Sequence, residues 1–168
     1  MNSTLLVNIF RFVLLLTLQI LVFNNMNFGG YLSAYPYILF IILYPVNGNK
    51  ANLLIASFFL GLVMDLFSNS GGVHATACVL LAQLRPYFFK FAFGLSYEYQ
   101  TVKLNDVLTP ERLTFILLAV TTHHFTLFLL ESFQISFLLH MLISATLSTL
   151  FTVLICIILI YFIKPNKR

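Results

Sequence analysis

Six apolar stretches separated by short polar stretches run along the chain, covering about 5–27, 33–47, 51–67, 73–93, 112–131 and 137–163. A helix that spans a bilayer needs about 20 predominantly apolar residues. The second and third stretches are shorter than that, and the second also contains Pro36 and Pro45. Short spans are accommodated by bilayer thinning or by packing inside a bundle. The pattern therefore predicts an all-α membrane protein, a single multi-pass domain over 1–168 with six transmembrane helices.

The composition supports this prediction. Of the 168 residues, 60% are apolar and only 8% are charged, whereas about a quarter of the residues of a soluble domain are charged. The net charge is +4, but the Lys and Arg residues are too scattered to form a nucleic-acid surface, so we expect the lipid bilayer and no nucleic acid as partner. Cys78 and Cys156 fall inside apolar stretches without CxxC spacing, which favours small core residues over metal ligands.

The basic residues predict the orientation in the membrane. With six spans, three of the connections contain no Lys or Arg. All nine basic residues then fall on the other side of the membrane: Arg11, Lys50, Arg85, Lys90, Lys103, Arg112, Lys164, Lys167 and Arg168. Lys and Arg concentrate on the cytoplasmic side of membrane proteins. Both termini and the long connection over 94–111 are therefore predicted to be cytoplasmic. Two of these residues, Arg11 and Arg85, lie in apolar surroundings and must snorkel or pair.

The same topology places two carboxylates and two imidazoles at the outer side, on Asp65, Glu131, His74 and His140. An ionisable residue beside hydrocarbon is expensive, so it marks a function or a buried partner. The short polar turn over 68–72 connects the Asp65 helix to the His74 helix.

Small residues line one face of the third predicted helix. Ser57, Gly61 and Asp65 recur at intervals of four residues, so they form a narrow stripe on a helix. Small residues let a neighbouring helix approach closely, and a polar group at the end can hydrogen-bond across the contact. With His74 they form a candidate helix-docking site, whose neighbour is either another helix of this chain or the transmembrane helix of a partner.

Histidines and a carboxylate also recur on the fifth predicted helix. His124 and Glu131 are seven residues apart and share a face, with His123 beside them. Together with His140 they form a candidate outer-side polar cluster. The HExxH spacing of a zinc site is absent, so we expect buried, hydrogen-bonding histidines and no bound metal. Serines and threonines on the last helix are expected to bond to carbonyls or to bridge helices. Without a GxSxG or P-loop motif, we predict neither an enzyme nor a cofactor.

Four stretches resemble the MreD family of bacterial rod shape-determining membrane proteins, in the versions found in Bacteroidetes-type bacteria. They are RFVLLLTLQILVFNN, GLVMDLFSNSGGVHA, LRPYFFK and HHFTLFLLESF, and the likeness extends over essentially the whole chain. The most specific is Gly61 to Ala75, which combines a Gly-x-x-x-Asp helix end, a short polar turn and a histidine.

The resemblance implies a non-enzymatic scaffold of the cell-wall elongation machinery in the bacterial inner membrane, which helps to maintain rod cell shape. The implied partner is MreC, a bitopic protein that would link the scaffold to the MreB filament and to the synthases that make peptidoglycan. The implied layout is similar to that of the substrate-binding subunits of energy-coupling-factor transporters, a likeness of fold that does not transfer function.

Two alternatives remain open. A substrate-capture subunit of an energy-coupling-factor-type vitamin transporter would hold its ligand in an outer pocket among Asp65, His74, Glu131 and His140. Against this alternative, the chain lacks Trp and has no outer connection long enough to close over a ligand. A histidine-dependent metal transporter would need bound metal.

Overall fold

The structure, a computed structural model, describes residues 3–28, 32–94, 108–131 and 138–163. These residues form six α-helices: Ser3–Leu21 (α1), Leu39–Ile42 (α2), Lys50–Ser68 (α3), Val73–Phe93 (α4), Pro110–Glu131 (α5) and Leu138–Ile163 (α6). Two short antiparallel strands, Asn27–Phe28 (β1) and Leu32–Ser33 (β2), pair after α1, with Asn27 opposite Ser33. The all-α class predicted from the sequence is confirmed.

Four helical segments are long and apolar enough to cross a membrane: Leu5–Asn25, Lys50–Ser68, Pro110–Glu131 and Leu139–Phe162. Large apolar side chains are widely exposed on these helices, for example Phe10 (67%), Leu66 (75%) and Phe162 (84%). Exposed apolar surface on this scale is unusual for a water-soluble monomer. The observed helices therefore indicate a membrane protein.

The long helices pack in chain order, α3 against α4, α4 against α5 and α5 against α6. Residues 32–46, which we call the central segment, contact α1, α4 and α6. Tyr37, Ile38, Leu39 and Ile41 in this segment have no solvent exposure at all. The core of the molecule is thus built around a segment that contains little regular structure.

The central segment is where the structure differs from the sequence-based expectation. One helix was expected over 33–47, but the chain forms the short strand β2, a 3₁₀ turn over Pro36–Ile38 and only four residues of α-helix in α2. Proline fixes its own backbone and disfavours helix in the residue before it. A helix therefore begins only after Pro36, and Pro45 follows soon after its end.

The central segment nevertheless runs along the length of its neighbours. At one end, Gln19 of α1 bonds to the Ala34 carbonyl at 3.0 Å. At the other end, Arg11, also on α1, bonds to the Leu43 carbonyl at 3.0 Å. The segment therefore runs antiparallel to α1. The summed rises of extended, 3₁₀ and α-helical residues give roughly 20–25 Å between Ser33 and Leu43.

Local side chains define several helix ends. The side chain of Asn49 accepts hydrogen bonds from the N–H groups of Ala51 (2.8 Å) and Asn52 (3.4 Å) and caps the start of α3. Thr109 lies directly before Pro110, and its hydroxyl accepts a hydrogen bond from the Arg112 N–H at 3.4 Å. These residue types suit the start of a helix, with Thr as the N-cap and Pro at the first helical position.

Candidate functional site

The corner between α3 and α4 brings the two backbones into close contact at Gly61. A Cβ added to Gly61 would lie 2.4 Å from Ala75 Cα and 2.5 Å from the His74 carbonyl oxygen. Real Cβ atoms do not approach backbone atoms this closely, and a helix backbone cannot give way without moving the whole helix. Glycine is therefore required at position 61 for α4 to lie where it does.

Asp65 holds the start of α4 from the preceding helix. Its Oδ1 accepts a hydrogen bond from the His74 N–H, and its Oδ2 accepts one from the Ala75 N–H, both at 2.9 Å. The Ser70 hydroxyl also donates to Oδ1 at 2.6 Å. The capping position itself is held by Gly72, which has no side chain to offer. Asp65 thus supplies the oxygens that an ordinary N-cap residue would supply, at the end of the helix that favours negative charge.

These contacts bear on the predicted helix-docking site of Ser57, Gly61, Asp65 and His74. All four residues are buried, and Gly61 and Asp65 contact α4 of the same chain. Of the two interpretations left open by the sequence, the structure shows the internal one for these two residues. The Ser57 hydroxyl is buried and has no hydrogen-bond partner in the part of the chain that is described.

A second group of polar residues lies deeper, around the hydroxyl of Tyr37. We call Tyr37, His74, Cys78 and His123 the Tyr37 cluster. The hydroxyl lies 2.8 Å from His74 Nδ1 and 2.8 Å from His123 Nε2, and the Cys78 sulfur lies 3.8 Å away. All four residues are almost completely buried. The hydroxyl therefore joins the central segment to both α4 and α5.

The hydrogen-bonding capacity of a hydroxyl constrains this cluster. Tyr37 can donate its one proton to only one of the two rings, so the other ring must donate to the tyrosine oxygen. The ring nitrogens of His74 and His123 that face the hydroxyl therefore play opposite roles, one as acceptor and one as donor. Such an arrangement binds three elements of the fold together with directional bonds, which rigidify a core when all partners are present.

His124 belongs to a separate chain of hydrogen bonds. Its Nδ1 lies 2.9 Å from the Val120 carbonyl and its Nε2 lies 3.0 Å from Thr152 Oγ1. A carbonyl can only accept, so Nδ1 carries the proton, and the neutral ring accepts the Thr152 hydroxyl proton at Nε2. Thr152 in turn accepts a hydrogen bond from the Tyr35 N–H at 3.1 Å. The expectation that His123 and His124 are buried and hydrogen-bonded is confirmed.

The other two members of the predicted outer-side cluster have different surroundings. Glu131 and His140 are exposed at the end of α5 and the start of α6, whereas His124 has no exposure. His140 Nδ1 lies 3.4 Å from the Ser144 hydroxyl on its own helix. His124 and Glu131 lie on the same face of α5, but they do not form one site. His124 lies in the core, and Glu131 lies about two helical turns away at the surface.

No metal site is formed by the described residues. Within the described ranges, no group of three or more His, Cys, Asp or Glu side chains is arranged to hold a metal ion. In the Tyr37 cluster, the ring nitrogens that face inward are bonded to a hydroxyl. These side chains therefore position the helices and the central segment.

Two further residues complete this polar core: Gln19, which sequence reasoning missed, and Ser148, one of the last-helix hydroxyls expected to bridge helices. Gln19 bonds the Ala34 carbonyl through its Nε2, and its Oε1 accepts the Tyr37 N–H at 3.4 Å. Ser148 accepts the Ser33 N–H at 3.1 Å. The available signal was an amide side chain, Gln19, in a largely apolar first helix that precedes a proline-interrupted apolar stretch, whose backbone groups need partners.

The half-buried Arg11 and the buried Arg85 both bond to the end of the central segment. Arg11 donates to the Leu43 carbonyl, and Arg85 donates to the carbonyls of Ile42 (3.4 Å) and Tyr44. These carbonyls lie at the end of the short helix α2 and just after it, where positive charge is favoured. The sequence-based expectation that Arg11 and Arg85 must pair or snorkel is confirmed, with backbone carbonyls as the partners.

Comparison with known proteins gives no match: no family model, no curated protein and no solved structure matches this chain. The fold and the polar core therefore define the class by themselves. The protein is an all-α protein with four helices able to cross a membrane, built around a buried, irregular central segment.

Proposed function

We propose that this protein is a non-enzymatic scaffold of the MreD type, located in the bacterial inner membrane. It would bind MreC and so help to organise peptidoglycan synthesis and maintain rod cell shape. The observation that carries the proposal is the stretch from Gly61 to Ala75. The residues that make this stretch resemble the family, Gly61, Asp65 and His74, each have a definite packing or bonding role at the α3–α4 corner.

We also propose six membrane crossings with both termini in the cytoplasm. The central segment and α4 supply two crossings in addition to the four long apolar helices. The segment's roughly 20–25 Å length approaches the hydrocarbon thickness of about 30 Å. Irregular backbone is tolerated at membrane depth where protein covers it, and here side chains of α1, α4 and α6 bond to its backbone groups.

The test is recovery of MreC from the same genome. The tagged chain is co-expressed with that MreC and purified in a mild detergent, with an unrelated bitopic protein of similar length as the control. We expect MreC, and not the control protein, to co-purify in a fixed ratio. Absence of MreC from a monodisperse, well-expressed preparation would overturn the proposal.

Substitutions of Gly61 and Asp65 are poor reporters of partner binding. Because Gly61 and Asp65 contact α4, their substitution disturbs the packing of α3 against α4 whether or not a partner binds there. Loss of MreC in such a variant is informative only when the variant retains the unfolding midpoint of the unmodified protein.

The vitamin-transporter alternative receives no support from the described residues. Its outer pocket was expected among Asp65, His74, Glu131 and His140, yet Asp65 bonds to α4 and His74 bonds to Tyr37. A cleft is present, but it lies beside Lys50 and Arg85 at the opposite end of α3 and α4. Co-purification of a vitamin would revive this alternative.

A further inference from the structure

Gln83 lies exposed in the middle of α4. Ten residues of the helix Val73–Phe93 lie on either side of it, so it is roughly 15 Å from each end of the helix. Its side-chain amide has no hydrogen-bond partner among the described residues, whereas the amide of the buried Gln19 makes three hydrogen bonds. Neither the scaffold proposal nor the polar core around Tyr37 gives Gln83 a role.

The depth of Gln83 makes an unpaired amide costly. Under the proposed topology, α4 crosses the membrane, and Gln83 then faces the middle of the hydrocarbon layer. An amide in apolar surroundings without a hydrogen bond is unfavourable, and both ends of the helix are too distant for this side chain to reach water. Polar side chains at such a depth hydrogen-bond across to a neighbouring helix. The described helices of this chain leave Gln83 exposed, so the partner group comes from another polypeptide.

Gln83 belongs to a row of exposed side chains that we call the exposed α4 stripe. Its members recur at intervals of three or four residues: Thr76, Leu80, Gln83, Tyr87 and Phe91. This spacing places them on one face of the helix and matches the contact surface of two helices that cross at a small angle. Tyr87 and Phe91 are 66% and 75% exposed, so large aromatic side chains are available to pack beside the amide.

We propose that the exposed α4 stripe is a contact surface between two copies of this chain, with the two Gln83 amides hydrogen-bonded to each other. Two copies inserted in the same orientation are related by a twofold axis along the membrane normal, so residues near the axis meet their own counterparts at equal depth. A primary amide carries both donors and an acceptor. One Gln83 therefore satisfies the other, and this self-complementarity favours a second copy over a different partner. The proposal rests on the six-crossing topology but not on MreC.

Sedimentation equilibrium of the purified full chain in a density-matched nonionic detergent measures the dimer. Gln83→Met removes the amide and keeps the length of the side chain. Thr146→Val on α6 is the control, because Thr146 is exposed but bonds to a carbonyl of its own helix. Both changes are at exposed positions, so each variant should keep the unfolding midpoint of the unmodified protein.

We expect a reversible dimer that Gln83→Met weakens by about tenfold and Thr146→Val leaves unchanged. Tenfold corresponds to about 1.4 kcal/mol, which lies within the range for hydrogen bonds between helices in membranes. A monomeric protein, or a dimer that Gln83→Met leaves unchanged, would overturn the proposal.

Disulfide cross-linking in native membranes tests which face the dimer uses. The native Cys78 and Cys156 are fully buried, so a cysteine introduced at an exposed position is the one that reacts. Tyr87→Cys should give a covalent dimer on oxidation, whereas Leu150→Cys, at a residue of α6 that is 60% exposed, should not. Cross-linking through position 150 and not through position 87 would overturn the assignment to α4.

Two further measurements separate this proposal from the topology and from the scaffold function. Fusions after Gly94 to green fluorescent protein and to alkaline phosphatase report whether α4 crosses the membrane. Fluorescence there with a monomeric protein would overturn the dimer and leave the topology standing, whereas phosphatase activity there would overturn both. A monomer that loses MreC on Gln83→Met substitution would assign the exposed α4 stripe to the partner's helix and overturn the second-copy assignment.

Discussion

The Tyr37 hydroxyl lies between two imidazole nitrogens, each 2.8 Å away, in a region without solvent. Each ring belongs to a different helix, so one oxygen atom connects the central segment to α4 and α5. Buried polar groups that lose a partner retain the desolvation penalty without the compensating bond. The loss of one polar atom should therefore destabilise this core more than the loss of one atom from the apolar side chains around it.

Tyr37→Phe should lower the free energy of unfolding by about 1–3 kcal/mol, since the inward nitrogens of His74 and His123 lose their shared partner. The ring volume stays the same, so the change reports the hydroxyl alone. Unfolding by titration with dodecyl sulfate in detergent micelles measures it. Tyr161→Phe, at a tyrosine that is 55% exposed on α6, is the matched control and should have little effect. Equal stability of the two variants would contradict the role assigned to Tyr37.

Gly61 and Ser57, one turn apart on α3, should respond differently to substitution by Ala. Gly61→Ala forces a methyl group against the α4 backbone and should destabilise the protein by about 1–3 kcal/mol, as overpacking does. Ser57→Ala removes a buried hydroxyl that has no partner among the described residues and should be neutral or stabilising. The same unfolding titration compares the two. A stable Gly61→Ala variant would show that α4 can move away from α3 at little cost.

At the scale of elements, the central segment depends on side chains that belong to other helices. Ser148 and Thr152, one turn apart on α6, accept the backbone N–H groups of Ser33 and Tyr35. Gln19 on α1 donates to the Ala34 carbonyl and accepts the Tyr37 N–H. Unsatisfied backbone groups are costly where no water is available. Polar side chains on apolar helices here replace the hydrogen bonds that a regular helix would make internally.

Thr152→Val tests this dependence without changing the side-chain volume. The substitution leaves the Tyr35 N–H without an acceptor and His124 Nε2 without a donor, so we expect a loss of about 1–3 kcal/mol. Thr146→Val is the control on the same helix, because Thr146 is exposed and bonds only to the Leu142 carbonyl, at 2.7 Å, among the described contacts. Comparable losses from both variants would show that the central segment does not rely on α6.

At the scale of the whole molecule, the number of crossings depends on whether the central segment traverses the membrane. Its contacts run from Gln19 to Arg11 along α1 and from His74 to Arg85 along α4. The segment therefore extends between the two ends of the bundle although α2 has only four residues. An even number of crossings keeps both termini on one side.

Reporter fusions measure this topology. Alkaline phosphatase is active only outside the cytoplasm, and green fluorescent protein folds when fused on the cytoplasmic side. We expect phosphatase activity after Asn25 and after Gly71, and fluorescence after Asn47 and at the C-terminus. The fusions after Asn25 and Asn47 flank the central segment, so the same activity at both would contradict its crossing. Phosphatase activity at the C-terminus would contradict the proposed orientation.

The sequence by itself determined the long apolar helices, the all-α class and the burial of His123 and His124. These features follow from local composition, which can be read directly from the sequence, and from the free-energy cost of burying polar groups without hydrogen bonds. Only the tertiary structure decided the conformation of the central segment and the partners of Asp65, Arg11 and Arg85. The physical reason is that these side chains bond mainly to backbone carbonyls and N–H groups, which almost every residue carries and no sequence pattern distinguishes.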